Sequence, residues 1–359
     1  MNKKEQLVNF SFVAPALAIF SFFYIIPFFY TFWLSLHKAS ATNVLDLNFV
    51  GAKNFQDIFS PQIFTGLVAI LGIFLIFYSL RNKFQKLSSN GKKKLAKIFQ
   101  ITALMIGGAC LVYAAIAFIN IFRQAIGFNP DMEWWNSVRR SFYITLWGLT
   151  FQNCLAFLLA LGVDRAARTG NIYRVIFFLL PVLGEVIIGL LLRIMLSHYP
   201  GVFNYLLESV GLGQWAQNWL GKDMALTTLA VSHSWRGFGY GFIILLAGLQ
   251  TIPEQLYEAA RIDGANALHR FMKITVPMLI PIIFLVIILT ILGTVQIIGL
   301  PMALTRGGPA GKTTVSVLRI FEDLSNSHAG YASAEGLILG LILVALSFGM
   351  LKISKRMKS

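Results

Sequence analysis

A run of polar side chains interrupts one of the long apolar stretches of this chain. It consists of His233, Arg236, Gly237 and Tyr240. The spacing i, i+3, i+4 and i+7 places all four on one face of a helix. Polar and charged groups inside an apolar helix are costly, so they usually line a cavity or pair with one another. Hydrogen-bonding groups beside an aromatic ring suit a polyhydroxylated solute such as a sugar.

A second run adds small and hydrogen-bonding groups to the next apolar stretch. Its members are Thr290, Gly293, Thr294 and Gln296, of which Gln296 points somewhat aside. We interpret both runs as candidates for a substrate pathway. The alternative is that these side chains only join helices, because Ser, Thr and Gln commonly form hydrogen bonds between membrane spans.

Two more charges, Glu185 and Arg193, lie in the apolar stretch that precedes these runs. Eight residues of straight helix separate them by about 12 Å, so they cannot pair directly. Glu185 is free to pair with Arg236 across helices, and Arg193 lies near the outer end, where it can snorkel. Two intramembrane arginines would also favour an acidic sugar, although Arg binds neutral hydroxyls too. Glu335, at the start of the last apolar run, is expected at the membrane interface.

Composition predicts that helical membrane spans position these side chains. Of the 359 residues, 57% are hydrophobic and only 13% are charged, whereas soluble proteins carry about a quarter charged residues. Apolar runs near 20 residues indicate spanning helices. We predict an all-α polytopic membrane protein with about eight spans. They cover residues 10–36, 64–80, 98–122, 141–163, 175–196, 226–250, 276–300 and 331–351.

The net charge of +15 is explained by membrane topology. Alternate segments between the predicted spans hold 19 of the 30 Lys and Arg residues, whereas the opposite segments hold 9. The positive-inside rule therefore places both termini in the cytoplasm. The chain has no charged patch on a soluble domain, so we expect no nucleic-acid partner. We divide the chain into a first span with its outer loop (1–63), an added hairpin with a basic turn (64–134) and a core (135–359).

A polar segment at about 253–275 separates two predicted spans and must lie outside the bilayer core. Pro253 suits the first turn of a helix, and Glu254 and Glu258 lie near its positive end. Gly264 permits the left-handed residue that ends a helix. We therefore predict a short surface helix tied to two spans, able to pass force to a soluble partner.

The same segment resembles the EAA signature of importer-type ABC permeases. The matching residues are Glu258-Ala259-Ala260, Gly264 and Ile274-Thr275-Val276-Pro277, where Val276 replaces the family's Leu. The resemblance implies the type I ABC importer transmembrane fold. It also implies that Glu258, Ala259, Ala260, Asp263 and Gly264 couple the chain to a cytoplasmic ATPase dimer.

Further motifs resemble the carbohydrate-uptake branch of this family, which includes the larger permease of the maltose transporter. They are Phe49-Val50-Gly51 with Asn54-Phe55, Ser234 to Phe238, Leu304 to Pro309, and Gly330-Tyr331-Ala332. Both polar runs described above correspond to positions that line the sugar site there. The resemblance implies an oligosaccharide, sugar or polyol substrate, a second permease subunit and an extracytoplasmic solute-binding protein. It implies a multi-pass location in a bacterial or archaeal cytoplasmic (inner) membrane.

No ATPase motif is visible in the chain. The stretch Gly307 to Thr313, GGPAGKT, imitates a phosphate-binding loop, but Arg306 stands where the first glycine is needed and no strand precedes it. We expect no catalytic residue, no metal and no cofactor in this chain, with ATP and Mg²⁺ held by the partner ATPase. Cys110 and Cys154 fall inside predicted spans, where we expect buried packing roles.

Two alternatives stay open at this point. A secondary transporter driven by an ion gradient would need intramembrane acids paired by internal repeats, together with discontinuous helices. A membrane enzyme would need paired carboxylates, a metal-ligand cluster or an activated nucleophile, none of which the sequence shows.

On the outer side, residues 201–221 carry Trp215 and Trp219 at helical spacing, which predicts an interfacial helix or a re-entrant loop.

Overall fold

The computed structural model describes residues 3–40, 47–51, 53–58, 132–164, 170–198 and 201–358. The predicted spans at 64–80 and 98–122, the basic turn between them and Cys110 lie outside the described residues. The chain divides into two compact units, one formed by residues 1–78 with 320–342 and the other by residues 79–319 with 343–359.

The first unit contains the N-terminal helices and a short strand pair. Its elements are α1 (Lys3–Phe20), a π-helical turn (Ser21–Ile25), α2 (Ile26–Ser35), β1 (His37–Lys38), β2 (Asn48–Phe49) and α3 (Lys53–Ile58). The strands are antiparallel, with His37 opposite Phe49. The apolar window of the span Phe12–Ser35 is 0% buried in the part of the chain that the structure describes.

The side chain of Asn54 bonds the backbone at the C-terminal end of α2. Asn54 donates from Nδ2 to the carbonyl oxygens of Ser35 (2.7 Å) and His37 (3.1 Å). A Cβ at Gly330 would come within 2.0 Å of the His37 carbonyl oxygen, so only glycine allows the last helix to begin there. The two sequence motifs around Asn54 and Gly330 are therefore parts of one local structure.

The second unit is a helical bundle. Its helices are α4 (Glu133–Trp147), α5 (Asn153–Asp164), α6 (Gly170–Val182), α7 (Glu185–Met195), α8 (Val202–Ser209), α9 (Ala225–Gln250), α10 (Glu254–Ile262), α11 (Ala267–Arg270), α12 (Val276–Val295) and α13 (Gly299–Leu304). Helices α14 (Ser316–Ser325) and α15 (Ala329–Lys358) each have residues in both units. A π-helical turn at Gly148–Gln152 joins α4 to α5, and another at Phe271–Thr275 joins α11 to α12.

Four described helices are long and apolar enough to cross a membrane. They are Phe12–Ser35, Glu133–Asp164, Ala267–Val295 and Ala329–Lys352. Central helix α9 has the length of a span, but the polar residues in its middle keep it outside this set. It is the most enclosed element of the bundle and contacts α4, α5, α6, α12 and α13.

The predicted span over 175–196 is bent. Its two halves, Ile172–Val182 and Glu185–Met195, meet at 93°. Pro181 and Gly184 lie at the break, where proline removes a backbone donor and glycine adopts the extended conformation that begins α7. The predicted span at 276–300 also ends early, at Val295, and the chain turns into α13.

Glu335 is fully buried within the protein, and its expected position at the membrane interface stays a prediction. Two smaller expectations fail. Trp215 ends a 3₁₀ turn at Gly213–Trp215, so it shares no helix with Trp219, which instead donates from its indole to Asn204 Oδ1 (2.7 Å). Cys154 is exposed on the surface of α5 instead of being packed inside the bundle.

Close packing of α9 on α6 gives a direct test of this bundle. A Cβ at Gly239 would lie 2.4 Å from the Phe177 carbonyl oxygen and 2.7 Å from Pro181 Cδ, whereas a Cβ at Gly293 would meet nothing within 4 Å. We expect Gly239→Ala to destabilise the chain by about 1–3 kcal/mol, because the helix backbones must move apart. Gly293→Ala is the matched control, with the same gain in helix propensity. Equal thermal unfolding midpoints for both variants in detergent would contradict this packing.

Candidate functional site: a polar layer in the bundle and an exposed helical turn

Two hydrophobic clusters form the core of the second unit, and polar residues separate them. One cluster includes Phe238, Phe242 and Leu279, and the other includes Ile144, Leu229 and Leu300. Along α9 the second cluster ends at Ala230 and the first begins at Phe238, so the segment 231–237 lies between them. The chain changes cluster in the same way between Ile144 of α4 and Ala156 of α5, and between Val286 of α12 and Ile297 just after it. The polar segments of these helices therefore lie at one level of the bundle.

We call this level the polar layer. It comprises Gln152, Asn153, Glu185, His233, Arg236, Gly237, Thr290 and Thr294. Five of these residues were predicted from sequence as pathway residues. The structure brings them together with Gln152, Asn153 and Glu185.

An ion pair holds the charged part of the polar layer. Arg236 donates from Nη2 to Glu185 Oε1, which joins α9 to the first residue of α7. This is the pairing that the sequence left open. The two side chains are 10% and 27% exposed, so solvent screens the attraction only weakly.

The threonines of the polar layer make hydrogen bonds between helices. Thr290 donates to Asn153 Oδ1 (3.0 Å), and Thr294 bonds the hydroxyl of Thr145 (2.9 Å). A Cβ at Gly148 would come within 2.9 Å of Thr294 and 3.0 Å of Thr290, so glycine permits this contact. These contacts match the helix-joining role weighed above for polar side chains, and a pathway role for the threonines stays a prediction.

The remaining predicted pathway residues differ in exposure. Tyr240 is 53% exposed and donates to the Pro181 carbonyl oxygen (3.3 Å), while Gly293 and Gln296 are exposed on α12. His233 is buried, and its Nδ1 has no hydrogen-bond partner in the described part of the chain. Gln152 Oε1 and Asn153 Nδ2 are also buried without a partner among the described residues, and the sequence analysis did not identify them. The only signal in the sequence was a pair of adjacent amide side chains in an apolar run.

The second candidate site is the exposed turn between α10 and α11. Helix α10 ends at Ile262, and Gly264 has φ of +74°, the left-handed conformation predicted for it. The Ala265 N–H donates to the Ala260 carbonyl (2.8 Å) and the Gly264 N–H to the Arg261 carbonyl (3.1 Å). This pattern is a Schellman motif, which satisfies carbonyl groups left open at the helix end.

A second cap follows at once and makes the turn rigid. Asn266 Oδ1 accepts from the His269 N–H (2.8 Å), so α11 begins one residue after the Schellman motif ends. The predicted helix at 253–275 is therefore two helices with a fixed turn between them. The residues Glu258, Ala259, Asp263 and Gly264 are all exposed, and Ala260 is half-buried.

The exposed turn is fixed to the bundle at both ends. Tyr257 packs against the first core cluster, and its hydroxyl bonds the Thr275 hydroxyl (2.9 Å). Helix α11 continues without a break into α12, so Ala267–Val295 is one helix of 29 residues. Two large apolar side chains, Ile262 (87% exposed) and Leu268 (70%), flank the turn and were not singled out from sequence. Apolar side chains exposed on a polar segment indicate a contact surface.

Among the described residues, no group of three or more His, Cys, Asp and Glu side chains is placed to hold a metal ion. Apolar spanning helices, a polar layer inside the bundle and a rigid exposed turn together are the architecture of a polytopic membrane transport protein. Residues 152–359 match the family described as "Binding-protein-dependent transport system inner membrane component". The chain belongs to this family.

Similar proteins agree with this assignment. A probable ABC transporter permease, YurN of Bacillus subtilis, is 26% identical over 99% of this chain and 98% of its own length. The trehalose/maltose transport system permease MalF of Thermococcus litoralis is 24% identical over 98% and 95%. A crystal structure of a bacterial ABC transporter involved in the import of the acidic polysaccharide alginate has the same fold. It shares 19% identity at a TM-score of 0.58, over 76% of this chain and 100% of that one.

This chain is therefore a membrane-embedded permease of an ABC importer, with the type I importer fold predicted from its sequence. The alternative of a transporter driven by an ion gradient is set aside, although the broken helix at residues 183–184 is a feature that such proteins also have.

Proposed function

We propose that this chain is one permease subunit of a transporter that imports an oligosaccharide or a related sugar or polyol. A solute-binding protein delivers the substrate, a second permease completes the pathway, and a cytoplasmic ATPase dimer binds ATP and Mg²⁺. The chain itself catalyses no reaction. It lies in a bacterial or archaeal cytoplasmic membrane with both termini in the cytoplasm.

The rigid exposed turn between α10 and α11 is the observation that supports this proposal best. It presents Ile262, Leu268 and the carboxylate of Glu258 outside the bilayer. These groups suit an ATPase groove that has an apolar floor and a basic or polar rim. Gly264 sets the turn, and Ala259 and Ala260 are small enough for close approach.

The continuous helix from α11 through α12 gives a physical route for coupling. Leu268 at the exposed turn and Thr290 in the polar layer are 22 residues apart, or about 33 Å at the helical rise. Closure of the ATPase dimer would move the turn, and a helix without a break would carry that displacement to the polar layer. The spans would then rock from inward-open to outward-open.

Hydrogen-bonding groups of the polar layer support a sugar as substrate. His233, Arg236, Gln152 and Asn153 offer both donors and acceptors, and the exposed ring of Tyr240 offers an aromatic face. MalF, a relative named for trehalose and maltose transport, aligns over 98% of this chain.

Co-purification from the native membrane tests the proposed assembly. Tagged wild type is compared with Glu258→Lys plus Gly264→Asp. The control is Glu208→Lys plus Gly211→Asp, which makes the same changes at the exposed end of α8 and in the loop after it, where Gly211 has φ of +78°. We expect an ATPase and a second permease with wild type and with the control, and at least a tenfold loss of the ATPase with the first variant. A chain that purifies alone in all three forms would contradict the proposal.

A further inference from the structure

The charges of the polar layer cancel within this chain. Arg236 is the only Lys or Arg that is buried among the residues the structure describes, and its guanidinium is paired with the carboxylate of Glu185. A buried cation that is already paired offers little to an incoming anion, because the anion must either displace the carboxylate or bind beside it.

Tight packing on its backbone side holds Glu185 in place. A Cβ at Gly299 would lie 2.8 Å from Glu185 Cβ and 3.0 Å from its Oε2, so helix α13 contacts this side chain closely. One turn further, a Cβ at Gly189 would lie 2.6 Å from Ala303 Cβ, which locks α7 against α13. Glu185 is also the first residue of α7, where the helix dipole stabilises a carboxylate. Release of Arg236 by movement of Glu185 would therefore disturb two helices.

Four polar atoms of the polar layer have no hydrogen-bond partner in the described part of the chain. Three belong to uncharged side chains, and the fourth belongs to Arg236, which is already paired with Glu185. Gln152 Oε1, Asn153 Nδ2, His233 Nδ1 and Arg236 Nε are buried and have no hydrogen-bond partner among the residues that the structure describes. Gln152 Oε1 accepts hydrogen bonds, and Asn153 Nδ2 and Arg236 Nε donate them. A hydroxyl group both donates and accepts, so it can satisfy both kinds. A carboxylate or phosphate group only accepts, so the anionic group itself cannot satisfy Gln152 Oε1.

We infer that the polar layer selects an uncharged polyhydroxylated solute and discriminates against uronates and phosphate esters. This inference rests on the proposed function, because it assumes that the solute passes the polar layer. The importer fold does not decide between the two classes. The chain that imports the acidic polysaccharide alginate shares it, and a relative is named for trehalose and maltose. Charge selection must therefore come from particular residues, and here the Glu185–Arg236 pair supplies it.

Uptake by whole cells tests the inference with all partner subunits present. Cells that lack this gene are complemented with wild type or a variant and are given tritium-labelled oligosaccharides from a mixed polysaccharide digest. Anion exchange divides the digest into a neutral pool and an acidic pool. We expect wild type to take up the neutral pool at least tenfold faster than the acidic pool, relative to cells without the gene.

Glu185→Gln leaves the Arg236 cation unpaired and should reduce this preference at least threefold. Glu208→Gln, at an exposed position in the last turn of α8, is the matched control and should keep the wild-type ratio. If wild type takes up the acidic pool faster and the ATPase co-purifies, the inference is overturned but the proposed function stands. If wild type takes up neither pool and the chain purifies without an ATPase, both the proposed function and the inference are overturned.

Discussion

Gly264→Asp is expected to lower sugar uptake at least tenfold while the membrane-spanning helices stay folded. Gly264 has φ of +74°, a conformation that costs a residue with a Cβ about 1–2 kcal/mol. A Cβ there would meet nothing within 4 Å, so the substitution causes no clash in the bundle. Distortion of the turn would relieve the strain. It would also move Ile262 and Leu268 away from the positions in which we propose that they contact the ATPase.

Gly211→Asp separates this effect from a general effect of strain. Gly211 has φ of +78°, open space around its Cβ position and an exposed site, but it lies in the loop after α8. The two variants should have similar unfolding midpoints, and only Gly264→Asp should lose uptake. Gly264→Asn should keep more uptake than Gly264→Asp, since Asn tolerates the left-handed conformation. Normal uptake with normal ATPase activity in Gly264→Asp would refute the coupling role of this turn.

Breaking the Glu185–Arg236 pair should give the largest loss of stability. We expect Arg236→Gln to destabilise the chain by about 3–5 kcal/mol, because it leaves a mostly buried carboxylate without its partner. Glu185→Gln should act similarly through the unpaired guanidinium. The double variant should recover much of the loss, with a coupling energy above about 2 kcal/mol, since it leaves no unpaired charge. Unfolding by detergent denaturation of the purified chain measures all four corners of this cycle.

An exposed ion pair of the same chain provides the control cycle. Arg319 Nη1 and Glu133 Oε2 are 2.7 Å apart, but their side chains are 25% and 69% exposed. Surface pairs of this kind contribute about 0–1 kcal/mol. If the Glu185–Arg236 cycle gave a coupling energy no larger than the Glu133–Arg319 cycle, the pair would not hold α7 against α9 as the structure indicates.

The sequence by itself determined the features that depend on neighbours along the chain. Apolar runs predicted the helices at Phe12–Ser35 and Ala329–Lys352, because each spanning helix must satisfy its own backbone hydrogen bonds. The same holds for the turn at Gly264, whose left-handed conformation and capping bonds involve residues within six positions of one another. The EAA spacing is local too, and the resemblance it carries identified the family.

Only the tertiary structure decided what the polar side chains contact. Glu185 and Arg236 are 51 residues apart, and their pairing depends on the break that turns α7 by 93° toward its neighbours. Periodicity placed Thr290 on a polar face but could not show that Asn153 and Gly148 would cover it. It likewise could not show that packing buries Glu335 completely. The physical reason is that a helix pattern specifies which residues share a face, whereas the crossing of helices distant in sequence decides what that face meets.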